Sequence, residues 1–157
     1  LQYWMGQALW VSITSCAAVI SILQNENDSL NIYVIIGVLI WIIGFSIEVI
    51  SDFQKSKFKK TENTTKTFIS NGLWSKSRHP NYFGEITLWV GIYVISFSSF
   101  SDIEYLTLIS PLFVYILLTR MSGVNMLEKI ADERYGHLSE YVQYKKNTPV
   151  LFIKFWK

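Results

Sequence analysis

Apolar and polar residues fall along this chain in long blocks rather than in short alternation. Four apolar runs stand out, at residues 3–23, 30–50, 85–100 and 105–122. A helix needs about 20 mostly apolar residues to cross a bilayer, so each run is read as a spanning helix. The second is the clearest, with only Asn31 and Glu48 strongly polar in it. Residues 24–29 join the first pair and 101–104 the second, and such short connections predict antiparallel neighbours. A polar stretch, 51–84, separates the pairs, and a polar tail, 123–157, follows the last run. In the tail, Leu127, Ile130, Ala131, Leu138, Tyr141 and Val142 recur at helical spacing among charges. This predicts an amphipathic helical segment, interrupted near Gly136 and stopped at Thr148-Pro149. Such a segment lies on the membrane surface or covers one end of the bundle. The expected fold is all-α: a polytopic transmembrane helix bundle, one membrane domain over 1–157, with a cytoplasmic amphipathic C-terminal segment.

Composition agrees with the pattern. Half the residues are hydrophobic and 17% are charged, against about a quarter charged in a soluble domain. All 14 Lys and Arg residues lie in the stretch 51–84 or from Arg120 onward, while the two short connectors hold only acids, Glu26, Asp28, Asp102 and Glu104. An up-down-up-down path therefore puts every basic residue on one face, and the positive-inside rule makes that face cytoplasmic. A plasma membrane in a bacterium and an endoplasmic-reticulum membrane in a eukaryote both fit. The net charge of +2 gives no reason to expect nucleic-acid binding. The single cysteine, Cys16, allows no internal disulfide and reads as a small apolar residue. Leu1 in place of Met suggests the C-terminal part of a longer protein.

Candidate chemistry concentrates at Asn71–Glu85, NGLWSKSRHPNYFGE. Asn71-Gly72 signals a turn, and Pro80 disfavours helix before it, so the third helix begins at or after Pro80. Arg78, His79, Asn81, Tyr82 and Glu85 crowd this point. Helix N-terminal amides with Arg78 suit an anionic group. The alternative is an interfacial arginine, a loop histidine and a glutamate favoured by the helix dipole. Glu48 sits near one end of a strongly apolar helix, with Asp52 four residues on and on the same face. An ionisable residue there is either functional or reaching to the interface. In the tail, Glu128, Arg134, Tyr141 and Tyr144 read first as solvated surface. His79 and His137 are far apart, with no cysteine near either, so no metal site is expected.

Ser77-Arg78-His79-Pro80-Asn81-Tyr82-Phe83-Gly84-Glu85 resembles the signature of the steroid 5-alpha-reductase-like family of membrane proteins. The similarity extends to Glu48-x-x-x-Asp52-x-Gln54, Ser122-Gly123-Val124, Leu127-Glu128-Lys129, Tyr141-x-x-Tyr144 and Thr148-Pro149, and covers roughly residues 1–153. It is nearest the branch that shares the reductase C-terminal domain. The wider superfamily includes sterol reductases and the isoprenylcysteine and phospholipid methyltransferases. The resemblance implies a membrane enzyme with its cofactor in a cytoplasm-facing pocket. In reductases that cofactor is NADPH; in the methyltransferases it is S-adenosylmethionine. It further implies a cofactor-binding set of Glu48, Asp52, Arg78, His79, Asn81, Tyr82, Glu85 and Glu128. Arg78 would pair with phosphate, with His79 nearby; Asn81, Tyr82 and Glu85 would hold the nicotinamide end, and Glu48 and Asp52 the ribose or adenine region. The Asn-Tyr-Phe-Gly-Glu continuation is the reductase-like version of the motif. The expected activity is NADPH-dependent reduction of a carbon–carbon double bond in a lipid or steroid-like substrate. In the steroid reductases the carbonyl-polarising Glu and Tyr come from the N-terminal half, and no counterpart is found here. The alternatives are a methyltransferase of a lipid or prenylated substrate, and a non-catalytic protein that binds lipid or a partner.

Overall fold

A computed structural model describes residues 2–24, 31–61, 67–121 and 123–154. The described residues are helical or irregular, with no strand among them. Among the described residues six α-helices follow one another: α1 (Gln2–Gln24), α2 (Ile32–Thr61), α3 (Pro80–Ser96), α4 (Ile109–Ile116), α5 (Val124–Tyr135) and α6 (Ser139–Asn147). The chain divides into two compact units. One contains residues 1–44 and 86–116; the other contains 45–85 and 117–157.

Among the described residues, three segments are long and apolar enough to cross a membrane: Trp4–Gln24, Ile32–Thr61 and Asp102–Tyr135. The chain is therefore a membrane protein. The third expected span is the 17-residue helix α3, followed by a 3-10 turn, Phe97–Ser99. The fourth expected span, 105–122, is not one regular helix. A 3-10 stretch, Asp102–Leu108, leads into α4, and a π-helical turn, Leu117–Met121, follows it. Pro111 explains the start, because it has no N–H to offer the carbonyl four residues back and its ring crowds that carbonyl. Ser122 lies outside the described residues.

In the first unit α1 packs along α4. Its hydroxyls stay satisfied inside the helix: Ser12 donates to the Ala8 carbonyl at 2.8 Å, Ser15 to Val11 at 2.6 Å and Thr14 to Trp10 at 3.0 Å. Between helices, Ser110 Oγ donates to the Thr14 carbonyl, and the Ser21 and Ser99 hydroxyls meet at 3.1 Å. Hydrocarbon supplies no competing partners for such groups, which is why they pair within the protein. Asn31 caps α2, its Oδ1 accepting from Val34 N–H at 3.0 Å. The helices α2 and α3 touch backbone to backbone at Gly37 and Gly91. A Cβ on Gly37 would sit 2.6 Å from the Ile95 nitrogen, and one on Gly91 2.6 Å from the Trp41 nitrogen. Small residues at a crossing let membrane helices approach this closely. Leu9, Val11, Ile22, Ile35, Leu39 and Ile43 are left exposed, as lipid-facing side chains would be.

In the second unit α2 continues to Thr61, so residues 51–61, expected as loop, are helical. Their partners explain this. The Ser51 carbonyl accepts from Trp74 Nε1 at 3.0 Å, and Gln54 Oε1 accepts from Leu73 N–H at 3.0 Å. These bonds hold the turn at Asn71-Gly72, where Gly72 takes φ +58°, against the last three turns of α2. The tail forms a helical pair, α5 and α6, broken at Gly136 and ending before Thr148-Pro149.

Candidate functional site

The signature segment is fixed from both sides. The Ser77 hydroxyl donates to the Leu151 carbonyl at 2.8 Å and accepts from His79 N–H at 3.2 Å. Arg78 N–H donates to the Pro149 carbonyl at 2.9 Å, and Lys154 N–H donates to the Lys76 carbonyl at 3.0 Å. Ser77 is fully buried and His79 almost so. The α3 helix then starts at Pro80, where the proline carries no N–H to leave unsatisfied.

Glu128, on α5, is the hub of the charges. Its Oε2 pairs with Arg78 Nη1, its Oε1 lies 2.9 Å from His79 Nε2, and Lys145 Nζ approaches Oε2 at 3.7 Å. Lys145 also binds both oxygens of Asp132 at 2.6 Å, and Tyr141 donates to Asp132 Oδ1 at 3.0 Å. The result is a chain of alternating charge, Arg78–Glu128–Lys145–Asp132, closed by a tyrosine. Tyr144 donates to the Trp74 carbonyl at 2.6 Å. Burial raises the Tyr141 and Tyr144 hydroxyls well above the ordinary tyrosine range, and for Tyr141 the bond to Asp132 adds to the effect. Both therefore stay protonated donors.

Against this network lies a cavity of about 260 Å³. Its walls are aromatic: Phe68, Trp74, Tyr135, Tyr141 and Tyr144. Phe68 is central, 5.2 Å from Tyr141 and 5.3 Å from Tyr144 between ring centroids. Lys55, Lys59, Arg78 and Arg134 supply positive charge, with Lys55 Nζ 5.2 Å over the Trp74 ring. Glu128 is the one carboxylate among the described residues lining it.

Four of the sequence candidates form a second group. Glu48 lies within electrostatic range of Glu85 and Asp52, and Asp52 also acts on Glu85 and Tyr82. The Tyr82 ring stacks on His79 at 5.6 Å with planes 12° apart, which joins this acidic group to the Glu128 network. A Cβ on Gly123 would lie 2.8 Å from the Tyr82 ring, so glycine lets that ring close against the start of α5. Asn81 is half-buried on the first turn of α3. The structure thus brings Arg78, His79 and Glu128 together at the cavity, and Glu48, Asp52, Tyr82 and Glu85 in the acidic group. Phe68, Trp74, Asp132 and Lys145 were not singled out from the sequence. The i, i+4 spacing of Glu128 and Asp132, and of Tyr141 and Lys145, was the available signal.

The cavity suits a flat ring carrying phosphate. Aromatic faces stack on a base, and the cations match anionic oxygens. Arg78 Nε is buried and has no hydrogen-bond acceptor among the described residues. A buried donor left unmade costs roughly 1–3 kcal/mol, and a bound anion is one way to satisfy it. At about 260 Å³ the space falls below the roughly 300–1,000 Å³ of drug-sized sites.

The family whose model the chain matches belongs to the steroid 5-alpha-reductase-like superfamily. The chain is a member of the family DUF1295, described as a protein of unknown function, whose match covers residues 1–148. No curated protein and no solved structure matches it.

Proposed function

We propose that this chain is the cofactor-binding part of a membrane oxidoreductase that uses NADPH to reduce a carbon–carbon double bond in a lipid or steroid-like substrate. The carrying observation is the aromatic, cation-rimmed cavity at Arg78, an arginine whose buried Nε–H has no acceptor among the described residues. NADPH, when bound, supplies a hydride. The protein's part is to hold and orient it. The cations at the cavity attract its phosphates and the aromatic walls receive its adenine. The acidic group would repel phosphate, so Glu48 and Asp52 fit the nicotinamide end, beside Asn81, Tyr82 and Glu85, better than the adenine region. Carboxylates there favour the positive charge that the nicotinamide ring gains on losing hydride.

S-adenosylmethionine is the less favoured cofactor. Its sulfonium calls for an uncommitted carboxylate in the cavity, and Glu128 already faces Arg78, His79 and Lys145. By the positive-inside rule, the unit holding all 14 Lys and Arg residues faces the cytoplasm, where both cofactors are found. Calorimetric titration of the full-length protein in detergent tests the reading. Binding of NADPH that Arg78→Gln weakens at least tenfold is expected. Binding of S-adenosylmethionine without NADPH overturns it in favour of methyl transfer. Binding of neither returns the chain to a lipid- or partner-binding role.

A further inference from the structure

A second cavity, about 460 Å³ in volume, lies where the chain leaves α6 and doubles back along the signature segment. Its charged lining is wholly basic: Arg78, Lys145, Lys146 and Lys154. Arg78 and Lys145 are committed to Glu128 and Asp132. Lys146 and Lys154 have no acid within ion-pair distance among the described residues. Four cations less two carboxylates leave a local charge of about +2. The backbone around it is rigid, because the Pro149, Leu151 and Lys154 peptides are all bonded to residues 76–78. Lys146 and Lys154 thus sit on a backbone tied to the signature segment, with no counter-charge for them among the described residues.

The same short segment exposes apolar side chains. Phe152 is 69% exposed and Val150 39% exposed, and both line the cavity. Phe152 is also braced by the Phe83 ring at 6.1 Å. A soluble anion accounts for the lysines but not for an aromatic ring held in the open beside them. A lipid accounts for both, with its phosphate among cations and its glycerol and upper acyl chain against the ring. We propose that this cavity binds the phosphate headgroup of an anionic phospholipid. The two cavities share Arg78, but Lys146, Lys154 and Phe152 line only this one, so variants at those three positions test the lipid site apart from the cofactor.

Native mass spectrometry of the full-length protein, released from micelles mixed with phosphatidylglycerol and phosphatidylcholine, tests this. The unaltered protein is expected to retain phosphatidylglycerol preferentially. The double variant K146Q/K154Q should lose that preference by roughly tenfold or more, K146R/K154R should keep it, and Phe152→Ser should weaken it. Equal retention of the two lipids by the unaltered protein overturns the proposal without any variant. So does a preference that survives K146Q/K154Q. Calorimetric binding of inorganic phosphate, with phosphatidylglycerol retention indifferent to Phe152→Ser, assigns the cavity to a soluble phosphate instead and also overturns it.

Discussion

His79 Nε2 and Glu128 Oε1 meet at 2.9 Å although 49 positions separate them in the chain. The pairing ties the signature segment to the tail. It also shows why a tail glutamate, on a helix that reads as solvated surface, is only 17% exposed. Removing its charge as Glu128→Gln would leave Arg78 facing Lys145 with no intervening anion. Breaking one side of a buried ion network costs about 3 kcal/mol or more. We expect a clear fall in the thermal unfolding midpoint, followed in detergent by tryptophan fluorescence. Glu140→Gln, at an exposed position of α6, should stay within about 0.5 kcal/mol of the unaltered protein. Equal midpoints for the two variants would show that Glu128 holds nothing together.

The α2–α3 crossing makes a different prediction. Gly91→Ala puts a methyl carbon 2.6 Å from the backbone nitrogen of Trp41, and Gly37→Ala puts one 2.6 Å from that of Ile95. Backbone cannot swing aside as a side chain can, so the helices must separate. Overpacking of this kind costs about 1–3 kcal/mol. Each variant should therefore give less monodisperse protein on size exclusion and a lower unfolding midpoint. Gly6→Ala meets nothing within 4 Å and serves as the neutral control.

These two regions show what the sequence made legible. Block hydrophobicity located the helices, and the absence of a donor at Pro80 placed the start of α3. The break at Gly136 and the stop at Thr148-Pro149 followed from the same backbone chemistry. The extension of α2 to Thr61 was hidden, because residues 51–61 are polar and only their bonds to Leu73 and Trp74 give them a reason to stay helical. The division of the fourth apolar run was masked by its composition, although Pro111 marked it. At the site, the resemblance supplied Arg78, His79 and Glu128. The aromatic cavity was not legible, since Phe68 lies in an irregular stretch and Trp74 in a four-residue 3-10 turn, too short for a periodicity to reveal which way they face.

Tyr144 carries a pH prediction. Its hydroxyl is held above the usual range by burial, so the folded protein keeps this proton when the unfolded chain, with tyrosines near pH 10, has begun to lose it. The stabilisation is complete below about pH 10 and erodes as pH rises beyond it, because the unfolded state then binds fewer protons. Tyr144→Phe removes one such group and one hydrogen bond to the Trp74 carbonyl. It should cost about 1 kcal/mol at neutral pH and should flatten the decline of the unfolding midpoint above pH 10. A slope unchanged from the unaltered protein would mean that Tyr144 does not titrate late.

Arg78 separates stability from binding. Its Nη1 engages Glu128 while its buried Nε–H has no acceptor among the described residues. Arg78→Lys keeps the positive charge opposite Glu128 but deletes the unaccepted donor, since an ammonium lacks the fixed fork of a guanidinium. The unliganded variant should lose less stability than Glu128→Gln, because the charge pairing survives. Nucleotide binding should suffer more. If the ligand's phosphate accepts from Nε, a charge-assisted bond worth about 1.5–3 kcal/mol disappears, which is roughly a tenfold or greater rise in Kd for NADPH. The two quantities come from one experiment: unfolding midpoints of Arg78→Lys and of the unaltered protein, each with and without NADPH. A small change without nucleotide and a much reduced upward shift with it is the expected pattern. An undiminished shift in the lysine variant would mean that the Nε donor is satisfied by something other than the nucleotide.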